Sequence, residues 1–69
     1  MDIKELMQDI DGMREHQMVM VNELCIRANV APKTYKNWVS GKTIPSLAAL
    51  NAVLEALHIE LIPLFQEKE

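Results

Sequence analysis

The sequence predicts an all-α protein, a compact bundle of four to five helices around a central pair of short helices joined by a tight turn. Three observations carry this reading. Apolar residues recur at helical spacing, most clearly Leu47, Leu50, Val53, Leu54 and Leu57. Helix punctuation stands at Asn29, Pro32, Gly41, Pro45 and Ser46. The apolar run between the first two helices, Met18 to Val21, is too short to form a sheet alone.

Helix one starts at Asp2, which can cap it, and Glu5 three residues later completes a capping-box-like pair. Ile3, Leu6, Met7, Ile10 and Met13 form its core stripe, with Asp9, Asp11 and Glu15 off that stripe in solvent. Gly12 weakens the helix slightly, and it runs to about His16. Val19 packs inward, and helix two starts near Met20 or Val21. That start has no Ser, Thr, Asp or Asn at the cap, so its amide groups are left to water or to a ligand. Helix two runs to about Ala28 with Val21, Leu24, Cys25 and Ala28 inward. Met1, Met7, Met13, Met18 and Met20 can be read as a flexible binding surface; core or turn packing is the preferred expectation. Cys25 is read as a small core residue, because no His or acid is placed to activate it.

Asn29 tolerates the left-handed conformation that ends a helix, and Val30 can plug the turn. Pro32 fits the first position of helix three, which runs to about Ser40. Val30, Tyr35 and Trp38 share its apolar face, so both aromatics are expected in the core; Lys33, Lys36, Asn37 and Ser40 lie on other faces. Gly41 forms a left-handed cap within the loop Ser40-Gly41-Lys42-Thr43, and Ser46 caps helix four. After His58 two readings stay open: a last short helix started by Pro63, or an extended edge strand over Ile59 to Phe65.

Sixty-nine residues make one domain, residues 1–69, with the core over about 3–62 and the tail 59–69 as a candidate dimerisation segment. So small a core usually needs support from disulfides, metal or oligomerisation. Cys25 is the only cysteine, and His16 and His58 stand apart from it, so neither a disulfide nor a metal site is expected. Oligomerisation remains. A lone thiol, no signal peptide and no apolar run long enough for a bilayer lead to the expectation of a cytoplasmic protein without membrane contact. Glycine-rich phosphate loops, HExxH and GxSxG are absent, so no enzyme, cofactor or small-molecule ligand is expected.

The net charge of −3 argues at first against a nucleic-acid partner, but the charges are not evenly spread. Residues 1–23 sum to −4, from Lys4 and Arg14 against Asp2, Glu5, Asp9, Asp11, Glu15 and Glu23. Residues 24–54 sum to +4, from Arg27, Lys33, Lys36 and Lys42 with no acid. Residues 55–69 sum to −3, from Lys68 against Glu55, Glu60, Glu67 and Glu69. A basic segment between acidic ones matches an electrostatic footprint confined to one face.

The ordered set Leu24-Cys25, Ala28-Asn29-Val30-Ala31, Thr34-Tyr35, Trp38, Val39 and Gly41-Lys42 resembles the Cro/C1-type helix-turn-helix family of small bacterial and phage DNA-binding regulators. That family shows a Leu-Ala pair, an Ala-Gly-Val-Ser turn, a Thr-Ile pair, an aromatic, an acid and a Gly-Lys loop. The resemblance runs from Ile3 to about Phe65 and implies a lambda-repressor-like fold. Three positions depart from the family pattern. Met20 and Val21 replace a hydroxyl and Gln that hold phosphate, Ala31 replaces a Ser or Thr cap, and Val39 replaces a frequent acid.

The resemblance implies that helix three enters the major groove of double-stranded DNA. Lys33 is then the candidate reader of guanine O6 and N7, Asn37 of adenine or cytosine, and Pro32 of a thymine methyl; Lys36 reaches a base or a phosphate. Asn22, Arg27, Thr34, Ser40, Lys42 and Thr43 are the phosphate candidates. The expected protein is a repressor that binds a palindromic operator as a homodimer through Leu57, Ile59, Leu61, Ile62, Leu64 and Phe65. Activation through contact between acidic helix one and RNA polymerase is a further option. The rivals are an antitoxin-type regulator that also holds a toxin, and a protein–protein adaptor that uses the fold without DNA.

Overall fold

The computed structural model describes residues 2–59. They form four helices: α1 (Ile3–His16), α2 (Val21–Ala28), α3 (Pro32–Ser40) and α4 (Leu47–Ala56). There is no strand among the described residues. The α1–α3 and α2–α4 pairs pack against each other, and α2 also meets α3. The sequence expectation of an all-α bundle is therefore met by four helices. Both readings of the tail, and the expected interface residues Leu61, Ile62, Leu64 and Phe65, lie outside the described residues.

Local chemistry accounts for most boundaries. The Asp2 carboxylate accepts from the Lys4 N–H at 3.1 Å, and the Ser46 hydroxyl accepts from the Ala49 N–H at 3.1 Å. Asn29 ends α2 at φ 58, and the Val30 N–H then returns to the Cys25 carbonyl at 2.9 Å. Gly41 ends α3 at φ 85. The positive φ is what calls for glycine there; a Cβ would also stand 2.8 Å from the Lys4 side chain, which is exposed and flexible enough to move aside. Two further residues, Met18 (φ 61) and His58 (φ 60), are left-handed without being glycine or asparagine, a conformation that costs about 1–2 kcal/mol each.

The core is a single cluster drawn from all four helices. Met7, Ile10, Leu24, Tyr35, Val53, Leu54 and Leu57 are almost wholly removed from solvent. Each such aliphatic side chain contributes about 1.5–3 kcal/mol relative to exposure. Tyr35 and Trp38 meet edge to face, with ring centroids 6.4 Å apart, as core residues.

Several expectations about individual faces need correction. Met13 is 38 % exposed, because the inward position in the last turn of α1 belongs to Arg14, four residues after Ile10. Asp11 is half-buried rather than solvated. Its Oδ1 accepts from Arg14 Nε and from Tyr35 Oη, both at 2.7 Å. Arg14 is itself buried, and its Nη1 donates to the Val19 carbonyl at 2.7 Å. A buried guanidinium is costly unless paired and hydrogen-bonded, and this network meets both conditions. Leu47 is exposed, since it occupies the first turn of α4 before the helix reaches the core. Met18 and Met20 are exposed as well; among the described methionines only Met7 is buried, and Val19 alone plugs the α1–α2 loop. Leu57, expected at a dimer contact, is 0 % exposed and belongs to the core. Ile59 is half-buried against that core.

Candidate functional site

Helix α3 has one buried face and one open one. Tyr35 and Trp38 fix its inner side, and the Tyr35 hydroxyl ties it to Asp11 of α1. Pro32, Lys33, Thr34 and Lys36 are exposed, and Asn37 is half-buried. On α2 the neighbouring outward residues are Asn22 and Ile26. Asn22 is a common wall of two open grooves. One lies against the α2–α3 turn, with Ile26, Asn29, Val30, Ala31 and Pro32. The other lies at the start of α2, with Glu15, Met18, Met20 and Lys36. The structure thus gathers Asn22, Pro32 and Lys36 around two adjoining grooves, beside exposed Lys33.

The remaining phosphate candidates are placed less uniformly. Lys42 and Thr43 are exposed in the loop after α3. The Ser40 hydroxyl donates to the Asn37 carbonyl at 3.2 Å, which turns it back on its own helix. Arg27 is engaged elsewhere: its Nη2 meets Glu23 Oε2 at 2.5 Å, and its Nη1 reaches the Ala56 carbonyl of α4 at 3.4 Å. Its charge is compensated on the side of α2 that packs toward α4. Among the described residues, Lys33, Lys36 and Lys42 make no ion pair. No acid stands between Leu24 and Leu54 to offset them.

The starts of the two helices add to this. Neither α2, with Met20 at its capping position, nor α3, with Ala31 there, has a side-chain cap. Their first amide N–H groups lack an acceptor from the capping residue, and a helix start of this kind favours negative charge nearby.

The titratable groups behind this face are structural. Burial alone would raise the Asp11 carboxyl, but hydrogen bonds from Arg14 and Tyr35 outweigh it and leave the group below its ordinary value. Burial, then the bond to Asp11, pushes the Tyr35 hydroxyl well up, so it stays a donor. Burial also raises the Cys25 thiol, which suits a core residue and not a nucleophile.

Sequence reasoning missed the Asp11–Arg14–Tyr35 network and the exposed trio of Met18, Met20 and Ile26. Arg14 had a signal, since it follows Leu6 and Ile10 at steps of four on the apolar stripe. Searching for apolar residues alone passes over it. No described helix is long and apolar enough to cross a membrane. No family model, no curated protein and no solved structure matches this chain.

Proposed function

We propose that this chain is a sequence-specific regulator of the Cro/C1 helix-turn-helix type that binds double-stranded DNA. Helix α3 is the recognition helix, and repression follows from occupying a promoter as a homodimer. One observation carries the proposal: Lys33 and Lys36 stand exposed on the open face of α3, without ion partners among the described residues, in a segment with no acid. A basic helix of this kind fits the major groove, where its first turns address base edges. Lys33, Asn37 and Pro32 are the base readers. Lys36 serves a base or phosphate, and Asn22, Thr34, Lys42 and Thr43 hold the backbone. Arg27 and Ser40 are secondary, because both are already bonded within the fold. With Leu57 in the core, the proposed dimer contact passes to Ile59 and the residues after it.

Mobility shift with genomic fragments at rising salt tests the proposal. Retarded fragments whose affinity falls steeply with salt are expected. If no fragment is retarded at micromolar protein in low salt, the DNA reading fails. Lys33→Ala is expected to cost about 1–3 kcal/mol on the selected site and to relax base preference. An equal loss on all sequences would reduce Lys33 to a phosphate contact.

A second reading, a protein–protein adaptor, gains from the exposed apolar side chains of Met18, Met20 and Ile26 beside the basic face.

A further inference from the structure

The two grooves that share Asn22 carry apolar side chains for which a phosphate backbone has little use. Met18 is 89 % exposed and Met20 71 %, and both line an open groove of about 500 Å³ with Lys36. Across Asn22, Ile26 is 81 % exposed and lines the neighbouring groove of about 620 Å³ with Ala31 and Pro32. Large apolar side chains grouped on a small protein mark a docking surface, and methionine is suited to one because its unbranched thioether adapts to its partner.

The turn that presents these methionines is held from beneath. Met18 is left-handed at φ 61, its N–H donates to the Glu15 carbonyl at 2.9 Å, and the Val19 N–H donates to the Arg14 carbonyl at 3.1 Å. The buried Arg14 side chain closes the same turn through the Val19 carbonyl. Met20 occupies a helix-capping position that Ser, Asp or Asn would stabilise better, so its presence has no local explanation.

The charges around the strip select the partner. Glu23 pairs with Arg27, whereas Glu15 reaches only Arg14, at 3.5 Å, and that guanidinium already holds Asp11, so a partner's carboxylates are directed away from Glu15 to the α3 side of the groove. Among the described residues, Lys33 and Lys36 have no ion partner. We propose that this surface docks a protein segment that presents apolar anchors beside carboxylates. The anchors enter the Met18–Met20 and Ile26 grooves, and the carboxylates pair with Lys36 and Lys33. DNA and this partner then compete for the same two lysines. Only that competition rests on the DNA reading; the docking does not.

The test uses the full chain with ¹³C-methyl methionine, titrated with a synthetic amphipathic helix of about 18 residues carrying a Leu stripe flanked by Glu. The Met18 and Met20 methyl signals are expected to shift and saturate, while that of buried Met7 stays in place. Replacing Glu by Lys in the peptide, or Leu by Ser, is expected to weaken binding by at least about tenfold. The Met18→Asn, Met20→Ser variant suits the left-handed turn and the capping position, so it should fold and yet lose the peptide by a similar factor. Lys36→Gln should weaken the Glu peptide and leave the Lys peptide unchanged. The proposal is overturned if the Leu/Glu peptide leaves both signals unmoved at about 100 μM, or if the Lys peptide binds equally well. It also falls if the two signals shift with the chain's own concentration, which would make the occupant a second copy. The same holds if duplex DNA shifts them as the peptide does, which would make the strip part of the DNA contact. Failure of the mobility-shift experiment leaves the methyl titration readable, so the two readings fail separately.

Discussion

Helices α1 and α4 begin on side-chain caps, Asp2 and Ser46, whereas α2 and α3 begin on Met20 and Ala31, which cap nothing. A cap is worth about 1 kcal/mol. With 8 and 9 residues, α2 and α3 are also the shorter pair, and helices below about 12–15 residues are marginal in water on their own. They persist because Leu24, Cys25, Ala28, Tyr35 and Trp38 are packed into the shared core. The two capped helices are held by local chemistry as well as packing. The two uncapped ones are held by packing and leave their first turns open beside the two grooves. Local stabilisation is thus missing where the exposed lysines and methionines gather.

The largest expected effect breaks the packing that the uncapped pair depends on. Leu24→Ala in α2 and Leu54→Ala in α4 remove fully buried side chains from facing helices. Each should cost about 2–5 kcal/mol, read as a fall in the urea midpoint. Similar costs would support one common core. A much smaller cost at Leu24 would mean that α2 contributes little to stability.

Next comes the polar link from α1 to α3. Arg14→Met keeps an unbranched apolar stem in place of the arginine stem but removes the guanidinium, and with it the bonds to Asp11 and to the Val19 carbonyl. About 1–3 kcal/mol should be lost, with a change in the near-ultraviolet circular dichroism of Tyr35 and Trp38. Unchanged stability would mean that the network is not needed to seat α3.

The same network sets an acid dependence. The Asp11 carboxyl lies below its ordinary value of 3.8 in the folded protein. Its contribution is therefore fully present above that ordinary value and is lost as pH falls through the lower, folded one. Between about pH 6 and about pH 3 the urea midpoint should fall further for the natural protein than for Asp11→Asn. Equal falls would place the acid sensitivity elsewhere.

The smallest effects test the caps themselves. Ser46→Ala should lower stability by about 1 kcal/mol, and Ala31→Ser should raise it by about 0.5–1 kcal/mol. Differential scanning calorimetry would read these as shifts of about 4–8 °C per kcal/mol in a chain of this size. If Ala31→Ser is neutral, the start of α3 is satisfied in another way and the contrast between the helix pairs weakens.

Much of the fold was legible because its punctuation is local. The sequence placed α1 to about His16, α2 from Met20 or Val21 to about Ala28, and α3 from Pro32 to about Ser40, and the structure agrees. Burial was less legible. The four-residue steps Leu6, Ile10 and Arg14 run through a charged side chain, so the last inward position of α1 was assigned to Met13. The outward placement of Pro32, Lys33 and Lys36 followed from their position opposite Tyr35 and Trp38. The second half of the surface did not follow. Core or turn packing was the preferred expectation for Met18 and Met20, since apolar residues are first assigned to a core, and Ile26, outside the inward stripe of α2, carried no site expectation.

By itself, the sequence determined most of the helix boundaries, because a cap, a left-handed residue or a proline acts on backbone within a few residues of itself. Asp2, Asn29, Pro32, Gly41 and Ser46 need no distant partner to do this. The tertiary structure alone decided which side chains are covered, because burial depends on what another helix brings from far along the chain. That is why Asp11 is held by Tyr35, 24 residues away. It is also why Leu57 lies inside the core while Met18, Met20 and Leu47 stand in solvent.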